Sequence, residues 1–380
     1  MSELNTEVSQ LINSNERPSY WYDWKWQYKN RITTVEELRR IITLSEKEKS
    51  DIEFCLTNFR MAITPYYASL MQKDNVNCPI RMQAVPTINE TVKLDCEMAD
   101  PLNEEGESPV PNIVHRYPDR VLFLVTHRCS MYCRHCTRRR VVGEEDNIIT
   151  EAEIKTAVDY ISQNTKIRDV LISGGDPFVM SDERLERIIS ALRAIEHVEI
   201  IRIGTRVPVV MPMRVTEGLV NMLRKYHPIW INTHFNHPSE LTPDAIAACA
   251  RIVDAGIPLG NQSVLLRGIN DNVDTMKTLL LKLVKSRVRP YYLYQCDLSQ
   301  GLGHFRTRVE KGVEIIQALT GNISGYAVPK FVIDAPGGGG KIPVNPEYII
   351  SGDNKKYILR NYKGDIYKYP QPPDLADEYK

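Results

Sequence analysis

Three cysteines lie close together in the run Thr-His-Arg-Cys-Ser-Met-Tyr-Cys-Arg-His-Cys. Cys129, Cys133 and Cys136 have the spacing C-x3-C-x2-C, so one short loop presents three thiolates with no fourth cysteine nearby. Closed zinc and iron–sulfur sites take four protein ligands. Three thiolates on a four-iron cluster would leave one iron free to hold a substrate, so the spacing favours an open [4Fe-4S] site. The alternative is a zinc site that adds His127 or His135 to the cysteines.

The segment before this loop, residues 121–125, is short and apolar, as expected for a buried strand. A cysteine loop of this spacing after a strand resembles the radical S-adenosylmethionine (SAM) superfamily. In that superfamily the open iron binds the amino and carboxylate groups of SAM, and reduction splits SAM into methionine and a 5′-deoxyadenosyl radical. The resemblance therefore implies [4Fe-4S], SAM and an external electron donor.

Strand and helix patterns alternate from residue 121 to about residue 320. The predicted strands are 121–125, 169–173, 199–204, 229–234, 259–265 and 289–294. Thr150–Glu153 and Thr307–Glu310 are predicted capping boxes, and Thr242 is a predicted N-cap before an N1 proline. Six βα units are typical of barrels or doubly wound sheets. With the SAM resemblance, we expect an α/β fold with a partial (β/α)6 TIM-like barrel, an N-terminal helical arm and a C-terminal extension.

Polar residues follow the ends of these strands, where the sites of barrels lie. They are the cysteine loop, Gly174-Gly175-Asp176, Thr205-Arg206, His234, Gln262 and Asp297. Ser173, Gly174, Gly175 and Asp176 form a motif that contacts the SAM amino group in radical SAM proteins, and glycine permits close approach of a ligand. An ordinary turn is the alternative for the glycine pair.

The stretch from Asp334 to Lys341, Asp-Ala-Pro-Gly-Gly-Gly-Gly-Lys, is glycine-rich. A nucleotide phosphate loop would need Gly at position 335 and Ser or Thr at 342, where the chain has Ala335 and Ile342. A lysine beside glycines that admit a ligand could form a Schiff base with an aldehyde. The alternative is a mobile glycine loop with a solvated lysine.

Two groups of arginines flank the first strand of the barrel. Arg116 and Arg120 beside Tyr117 suit a phosphate under a stacked ring, or form surface ion pairs. Residues 138–140 are three consecutive arginines. We expect one of their side chains to bind a substrate carboxylate in a bidentate manner. Nucleic acid is the other interpretation of the triplet, but no wider basic stripe supports it.

Taken together, these motifs resemble the lysine 2,3-aminomutase family over residues 20–365. The matching segments are 115–120, 129–140, 173–176, 232–234, 261–263, 294–299, 303–306 and 334–341. The resemblance implies an isomerase with a [4Fe-4S] cluster, SAM and pyridoxal 5′-phosphate (PLP) that forms homo-oligomers, dimer or tetramer. It implies that the 5′-deoxyadenosyl radical starts a 1,2-amino migration on a PLP aldimine.

The resemblance also assigns roles to single residues. Lys341 matches the PLP lysine, Arg116 and Arg120 the phosphate positions, and Tyr117 the position beside the ring. Further matches are His234 and Gln262 for SAM, Arg138 for the substrate α-carboxylate, and Asp297 and Asp334 for the ε-ammonium of lysine. Expected domains are 1–112 (helical, aromatic arm and linker), 113–335 (partial barrel) and 336–380 (PLP-lysine segment and tail). The aromatic residues 21–28 are expected to dock on a neighbouring surface, with subunit contact.

The pair of aspartates selects the substrate, because two buried carboxylates repel each other unless a cation lies between them. We therefore expect interconversion of L-lysine and β-lysine. Siblings that act on arginine, glutamate or protein-bound lysine, a radical SAM enzyme without PLP, and a non-enzymatic metal-binding module are the alternatives. The C-terminus lacks cysteine, so no structural zinc is expected.

The composition is that of an ordinary globular protein. Of 380 residues, 42% are hydrophobic and 25% charged, and equal counts of 48 basic and 48 acidic residues give no net charge that would favour nucleic acid. No apolar run approaches a membrane span and the N-terminus is polar, so neither a membrane partner nor a signal peptide is expected. Eight cysteines without a disulfide framework suit a reducing cytoplasm.

Overall fold

The computed structural model describes residues 2–14, 16–143 and 149–372. Its main sheet has nine strands in the order β1 to β9, the sequence order. The strands are β1 Ile113–Tyr117, β2 Arg120–Leu124, β3 Asp169–Ser173, β4 Ile200–Gly204, β5 Ile229–Thr233, β6 Leu259–Leu265, β7 Arg289–Gln295, β8 Lys330–Ala335 and β9 Gly340–Pro343. Pairs from β2 to β8 are parallel, whereas β1 and β9 add antiparallel edges.

At least one α-helix lies between each pair of successive parallel strands, and two lie between β4 and β5, which gives six βα units leading to a seventh parallel strand. The α-helices are α1 Ser2–Asn13, α2 Trp24–Lys29, α3 Val35–Leu38, α4 Glu46–Leu56, α5 Pro65–Ala68, α6 Pro79–Ala84, α7 Glu151–Gln163, α8 Asp182–Arg193, α9 Val207–Val210, α10 Glu217–Leu223, α11 Pro243–Asp254, α12 Val273–Lys285 and α13 Val309–Leu319. The expected partial barrel is confirmed, and all six predicted strands form within one residue of their predicted bounds.

Strand burial alternates, as the two-residue period of a strand requires. In β3, Val170 and Ile172 are fully buried and belong to the same core as Leu185 and Ile188 of α8. The intervening side chains face the other way and are only half-buried. Asp169 is one of them and accepts a hydrogen bond from Arg202 Nε of β4 at 2.8 Å. The sheet therefore has an apolar helix side and a polar inner side.

Two of the three predicted helix starts are confirmed. Thr150 and Glu153 form a reciprocal capping box on α7, and Thr242 caps α11. The box at Thr307 is wrong, because α13 begins one residue later than that motif requires, with Arg308 at the N-cap and no capping side chain. The Thr307 carbonyl instead accepts a hydrogen bond from Gln295 at 2.7 Å, which ties this segment to β7.

The N-terminal arm is helical, as predicted, and packs on its own barrel. Trp21 is buried in the main core, and the Trp24 ring lies 4.6 Å from the buried Arg214 guanidinium. Tyr67 donates to Glu240 at 2.7 Å, which joins the arm to the barrel loop after β5. The aromatic segment thus docks within the same chain, and subunit contact stays a prediction.

The C-terminal part continues the main sheet before it forms a small one. The predicted boundary between residues 335 and 336 falls inside the β8–β9 hairpin, so the Lys341 segment is continuous with the barrel. Beyond it, β10 Ile349–Gly352, β11 Lys356–Arg360 and β12 Ile366–Pro370 make a separate antiparallel sheet. None of the helices in the described ranges combines the length and apolar character needed to cross a bilayer.

Candidate active site

The cysteine loop, residues 126–136, leaves the carboxyl end of β2 and is held in place by the arm. Arg31 donates to the Cys129 carbonyl at 2.7 Å, Tyr132 N donates to the Ala62 carbonyl at 3.0 Å, and Arg134 N donates to that of Gln83 at 2.9 Å. The arm therefore fixes the backbone that presents the three thiols. The sequence did not predict this support. The contacting residues are far apart in the chain, up to 98 residues for Arg31 and Cys129, and no local pattern links them.

Gly174 and Gly175 are needed for a close approach between two backbones. Gly175 N donates to the Thr126 carbonyl at 2.5 Å, and Gly174 has a φ of +129°. A Cβ at position 174 or 175 would overlap the carbonyl oxygen of Thr126 or Arg128, respectively. The group that approaches these glycines in the structure is the cysteine loop itself, so the motif positions the thiols whatever else it contacts.

Asp176 is buried and its carboxylate already has several protein donors. They are Thr205 Oγ1 at 2.6 Å, Arg206 N at 2.7 Å and Phe178 N at 3.0 Å. Burial raises the pKa of Asp176, against the effect of these hydrogen bonds. In the structure this side chain joins the loops after β3 and β4. The SAM contacts of Ser173, Gly174, Gly175 and Asp176 stay predictions.

The three cysteines line one small pocket together with Tyr132 and Arg139. The pocket lies by the loops that follow the carboxyl ends of the parallel strands, called the barrel mouth below. Burial raises the pKa of Cys129 well above its usual value and that of Cys136 to about 11. Within residues 2–14, 16–143 and 149–372, no three His, Cys, Asp or Glu side chains converge on a single metal ion. A four-iron cluster does not need such convergence, because each of its cysteines binds a different iron. The donor set therefore fits a cluster with one open iron.

His234 and Gln262, the predicted SAM residues of β5 and β6, lie together. The Gln262 backbone hydrogen-bonds the His234 ring, whose pKa falls to about 4 because burial and the nearby Arg206 disfavour the cation. The imidazole ring of His234 is therefore neutral at pH 7.

The second half of the site lies at the ends of β7, β8 and β9. Asp334 and Lys341 are directly opposite each other in the β8–β9 ladder, so their side chains share a face. Lys341 Nζ lies 2.9 Å from Asp334 Oδ1 and 3.2 Å from Oδ2. Asp297 follows β7 and accepts a hydrogen bond from Thr137 at 2.6 Å. A cavity of about 440 Å³ is lined by both aspartates.

Negative charge exceeds positive charge among these three side chains. Burial raises the pKa of Asp297 to about 6, and the negative charge of Asp334 adds to this effect, whereas Thr137 and Lys341 oppose it. The side chain of Asp334 is only 6% exposed and that of Lys341 31% exposed. Two carboxylates and one ammonium have one uncompensated negative charge, which is the charge pattern expected for a site that binds a cationic ligand.

Lys341 is an ordered strand residue rather than a solvated lysine in a mobile loop. Its backbone N–H donates to the Tyr117 hydroxyl at 3.0 Å, and its Nζ lies 5.2 Å from the centre of the Tyr294 ring. Gly337 and Gly340 have positive φ, which the tight turn before β9 requires. The glycines thus form a hairpin turn that places Lys341 inside the barrel mouth, beside the aromatic ring predicted to accompany PLP.

The predicted anion-binding arginines are paired with acids of residues 98–112, called the linker below. Arg138 makes a bidentate pair with Glu104 at 2.7 to 3.0 Å, and Arg116 donates to Glu107 at 2.6 Å. Arg120 instead stacks on Tyr117, 3.9 Å from the ring centre. The guanidinium of Arg138 keeps its Nη1 edge towards the barrel mouth, 3.5 Å from the Gly174 carbonyl.

The other two arginines of the triplet are also paired with acids, although Arg139 remains in the lining of the cysteine pocket. Arg139 pairs with the buried Glu90, and Arg140 with Asp100 and Glu105. Sequence reasoning singled out the arginines but not these acids. The signal was present as a Glu-Glu-Gly-Glu run in the linker, opposite in charge to the arginine triplet. Nothing local indicated which arginine would meet which acid.

Two known family models match parts of this chain. The family model described as radical SAM superfamily matches residues 123–279, and that described as lysine-2,3-aminomutase matches residues 316–379. Among solved structures, Streptococcus suis SuiB bound to SAM has a TM-score of 0.44 and 14% identity, and the match covers 57% of this chain and 51% of SuiB.

The curated relatives include aminomutases with two different substrates in their names. The L-lysine 2,3-aminomutase of Fusobacterium nucleatum is 56% identical over 100% of this chain and 88% of its own length. That of Clostridium subterminale is 58% identical over 93% of this chain and 85% of its own length. The glutamate 2,3-aminomutase of Clostridioides difficile is 45% identical over 98% and 88%, respectively. The chain therefore belongs to the lysine 2,3-aminomutase family of radical SAM enzymes.

Proposed function

We propose that this enzyme is an L-lysine 2,3-aminomutase, an isomerase that interconverts L-lysine and β-lysine. The observation that carries the proposal is the pair of aspartates, Asp297 and Asp334, which line one cavity while Lys341 forms an ion pair with Asp334. A glutamate substrate would bring a third negative charge to this place, which costs free energy in a buried site. A lysine substrate brings the missing cation.

Three cofactors belong to the proposal. A [4Fe-4S] cluster is held by Cys129, Cys133 and Cys136, and PLP is held by Lys341. SAM is held by Ser173, Gly174, Gly175, Asp176, His234 and Gln262. When bound, these groups supply the organic radical and the conjugated ring through which an amino group can move between neighbouring carbons. No structural zinc is included.

The chain's own residues bind and orient the substrate. Asp297 and Asp334 hold the ε-ammonium, for which the Lys341 ammonium stands in while its ion pair with Asp334 is intact. The Nη edge of Arg138 holds the α-carboxylate, since Glu104 occupies the Nε edge of the same guanidinium. Charge at both ends fixes the carbon chain between them, which places the central carbons reproducibly.

Arg116, Arg120 and Tyr117 complete the PLP site of the proposal. The Tyr117 hydroxyl is held against the backbone of Lys341, so ring and lysine are in register before any ligand binds. Arg116 keeps one of its two terminal amino groups for a phosphate, because its Nε is bound to Glu107 and its Nη2 to the Leu102 carbonyl. The guanidinium of Arg120 lies on the Tyr117 ring.

The proposal extends to the setting of the enzyme. An external one-electron donor reduces the cluster, and the enzyme is a cytoplasmic homo-oligomer, dimer or tetramer, with no nucleic-acid or membrane partner. Subunit number is tested by light scattering of the reconstituted protein.

The experiment that tests the function is anaerobic. Purified protein is reconstituted with iron, sulfide, PLP, SAM and a reductant, and L-lysine is added, with arginine, glutamate and alanine in parallel. NMR detection of β-lysine from lysine alone is the expected result. Turnover of glutamate instead would contradict the role of the two aspartates. A chain with its cluster and PLP in place that turns over none of these amino acids would refute the proposed reaction.

A further inference from the structure

Arg206 follows β4 and has no role in the proposed function, yet its guanidinium is among the most completely bound groups near the site. The side chain is 8% exposed. Its Nε donates to the His234 carbonyl at 3.2 Å, and its Nη2 donates to Gln83 at 2.6 Å and Glu240 at 2.8 Å. The remaining Nη1 donates to the sulfur of Cys133 at 2.7 Å.

The positive charge of Arg206 is balanced inside the protein. Glu240 is fully buried and also accepts hydrogen bonds from Tyr67 at 2.7 Å and from Asn236 N at 2.6 Å. An arginine guanidinium stays protonated at any ordinary pH, and the Glu240 carboxylate 2.8 Å away balances its charge. The guanidinium of Arg206 therefore keeps its positive charge whether or not a ligand is bound at the barrel mouth.

The position of Arg206 is set from its backbone as well. Its N–H donates to Asp176 at 2.7 Å, and its carbonyl accepts from Val209 at 2.9 Å. The side chain therefore reaches Cys133 from a fixed point. The guanidinium of Arg206 therefore donates to one of the three cysteine sulfurs, that of Cys133.

We propose that Arg206 is a positioning residue that donates a hydrogen bond to the Cys133 sulfur of the bound cluster and so makes one-electron reduction of that cluster easier. Reduction adds one negative charge to the cluster, and a hydrogen bond or cation at a sulfur ligand stabilises the more negative state. One electron leaves the external donor and enters the cluster, and no bond forms or breaks in this step. The rival explanation is that Arg206 only neutralises Glu240.

The inference rests on the iron–sulfur part of the proposed function and is independent of lysine. The test is therefore the midpoint potential of the reconstituted cluster, followed by electron paramagnetic resonance during a reductive titration without SAM or substrate. In Arg206→Lys the charge is retained, but a single ammonium stays with Glu240 and leaves the sulfur without its donor. We expect a more negative midpoint potential at unchanged iron and sulfide content.

The matched control is Arg214→Lys. Arg214 is 1% exposed and pairs with Asp182 at 2.7 Å, and it donates to the carbonyls of Phe178 and Met180 rather than to a cysteine. This variant has the same chemical change at similar burial, and its midpoint potential should equal that of the wild type.

An unchanged potential in Arg206→Lys with a full cluster would overturn the inference. Loss of the cluster from folded Arg206→Lys protein would overturn it too, because Arg206 would then hold the loop rather than tune the cluster. If Arg206→Lys does not fold, the double variant Arg206→Met with Glu240→Gln removes both buried charges together and serves the same comparison. A wild-type chain with a cluster but no lysine turnover would contradict the proposed function and leave this inference standing, whereas a wild type that assembles no four-iron cluster would refute both.

Discussion

The two halves of the candidate site differ in how their charges are matched. At the cysteine-loop end, buried charges are paired before any ligand arrives: Arg206 with Glu240, and Arg134 and Arg139 with Glu90. At the Lys341 end, Lys341 pairs with Asp334, whereas Asp297 accepts a hydrogen bond from the Thr137 hydroxyl, and its pKa is raised to about 6. The first half is a scaffold with one more cation than carboxylates, whereas the second half has one more carboxylate than cations, an excess that a cationic substrate would balance.

The largest effect should come from Lys341→Ala. Removing the amine deprives PLP of its attachment point and Asp334 of its partner, so lysine turnover should fall roughly a thousandfold or more. The visible absorbance of bound PLP should disappear in the same protein. Lys330→Ala, at an exposed position of β8, is the control. Unaltered absorbance in Lys341→Ala would show that another lysine binds PLP.

Asp297→Asn removes one of the two carboxylates without changing the shape of the side chain. Breaking a buried ion pair costs about 3–5 kcal/mol, so the affinity for lysine should fall by at least roughly a hundredfold. Calorimetric titration with lysine in the absence of reductant measures this loss, and SAM binding should be unaffected. Asp353→Asn, in the exposed turn between β10 and β11, is the control. A wild-type affinity for lysine in Asp297→Asn would refute the ammonium site.

Glu240→Gln tests the scaffold half. It leaves the buried guanidinium of Arg206 without its counter-charge, and the free energy of unfolding should fall by about 3–5 kcal/mol. Glu186→Gln removes a partly exposed partner of Lys225 and should cost no more than about 1 kcal/mol. Urea unfolding of the two apo-proteins measures both values. Equal small losses would mean that the buried pair contributes no more than a surface pair.

The smallest effect is a pH dependence of lysine binding. Below a pKa of about 6, Asp297 becomes protonated and loses its charge, so the affinity for lysine should fall about tenfold per pH unit there and level off above it. Because its folded pKa lies above the unfolded value, Asp297 stabilises the fold most at low pH and progressively less as pH rises through 6. Binding titrations from pH 5 to pH 8 test this, with norleucine as the control ligand that lacks only the ε-ammonium of lysine. A similar slope for norleucine would place the titrating group elsewhere.

Much of the barrel could be predicted from local sequence. The strands 169–173 and 259–265 were predicted at their observed bounds, because apolar runs flanked by helix caps carry enough information by themselves. The edge strands β1 and β9 were not predicted. β1 contains His115, Arg116 and Tyr117, and β9 begins at a glycine, so neither has the apolar pattern of a buried strand. Their pairing with β2 and β8 depends on the sheet that they join.

The sequence named a set of candidate site residues, but their geometry could be predicted only in part. The pairing of Asp334 with Lys341 follows from a hairpin turn whose two arms were not assigned as strands. The role of the glycines at 174 and 175 depends on the carbonyls of the cysteine loop, some fifty residues away in the chain. The linker acids Glu104 and Glu107 looked like an ordinary polar boundary until the fold placed them on Arg138 and Arg116.

Several features of this protein can be recognised in short runs of its chain, because a thiol spacing, a glycine turn or a strand period involves only neighbouring residues. Those runs were sufficient to predict the fold class and to single out the three cysteines and Lys341 as candidates. Which charges meet was decided by the tertiary structure. Arg206 reaches Cys133 and Glu240 only because three loops at the barrel mouth converge, and Asp297 has its raised pKa only because folding buries it near Asp334. Burial and long-range pairing depend on the whole chain at once, so no local pattern could reveal them.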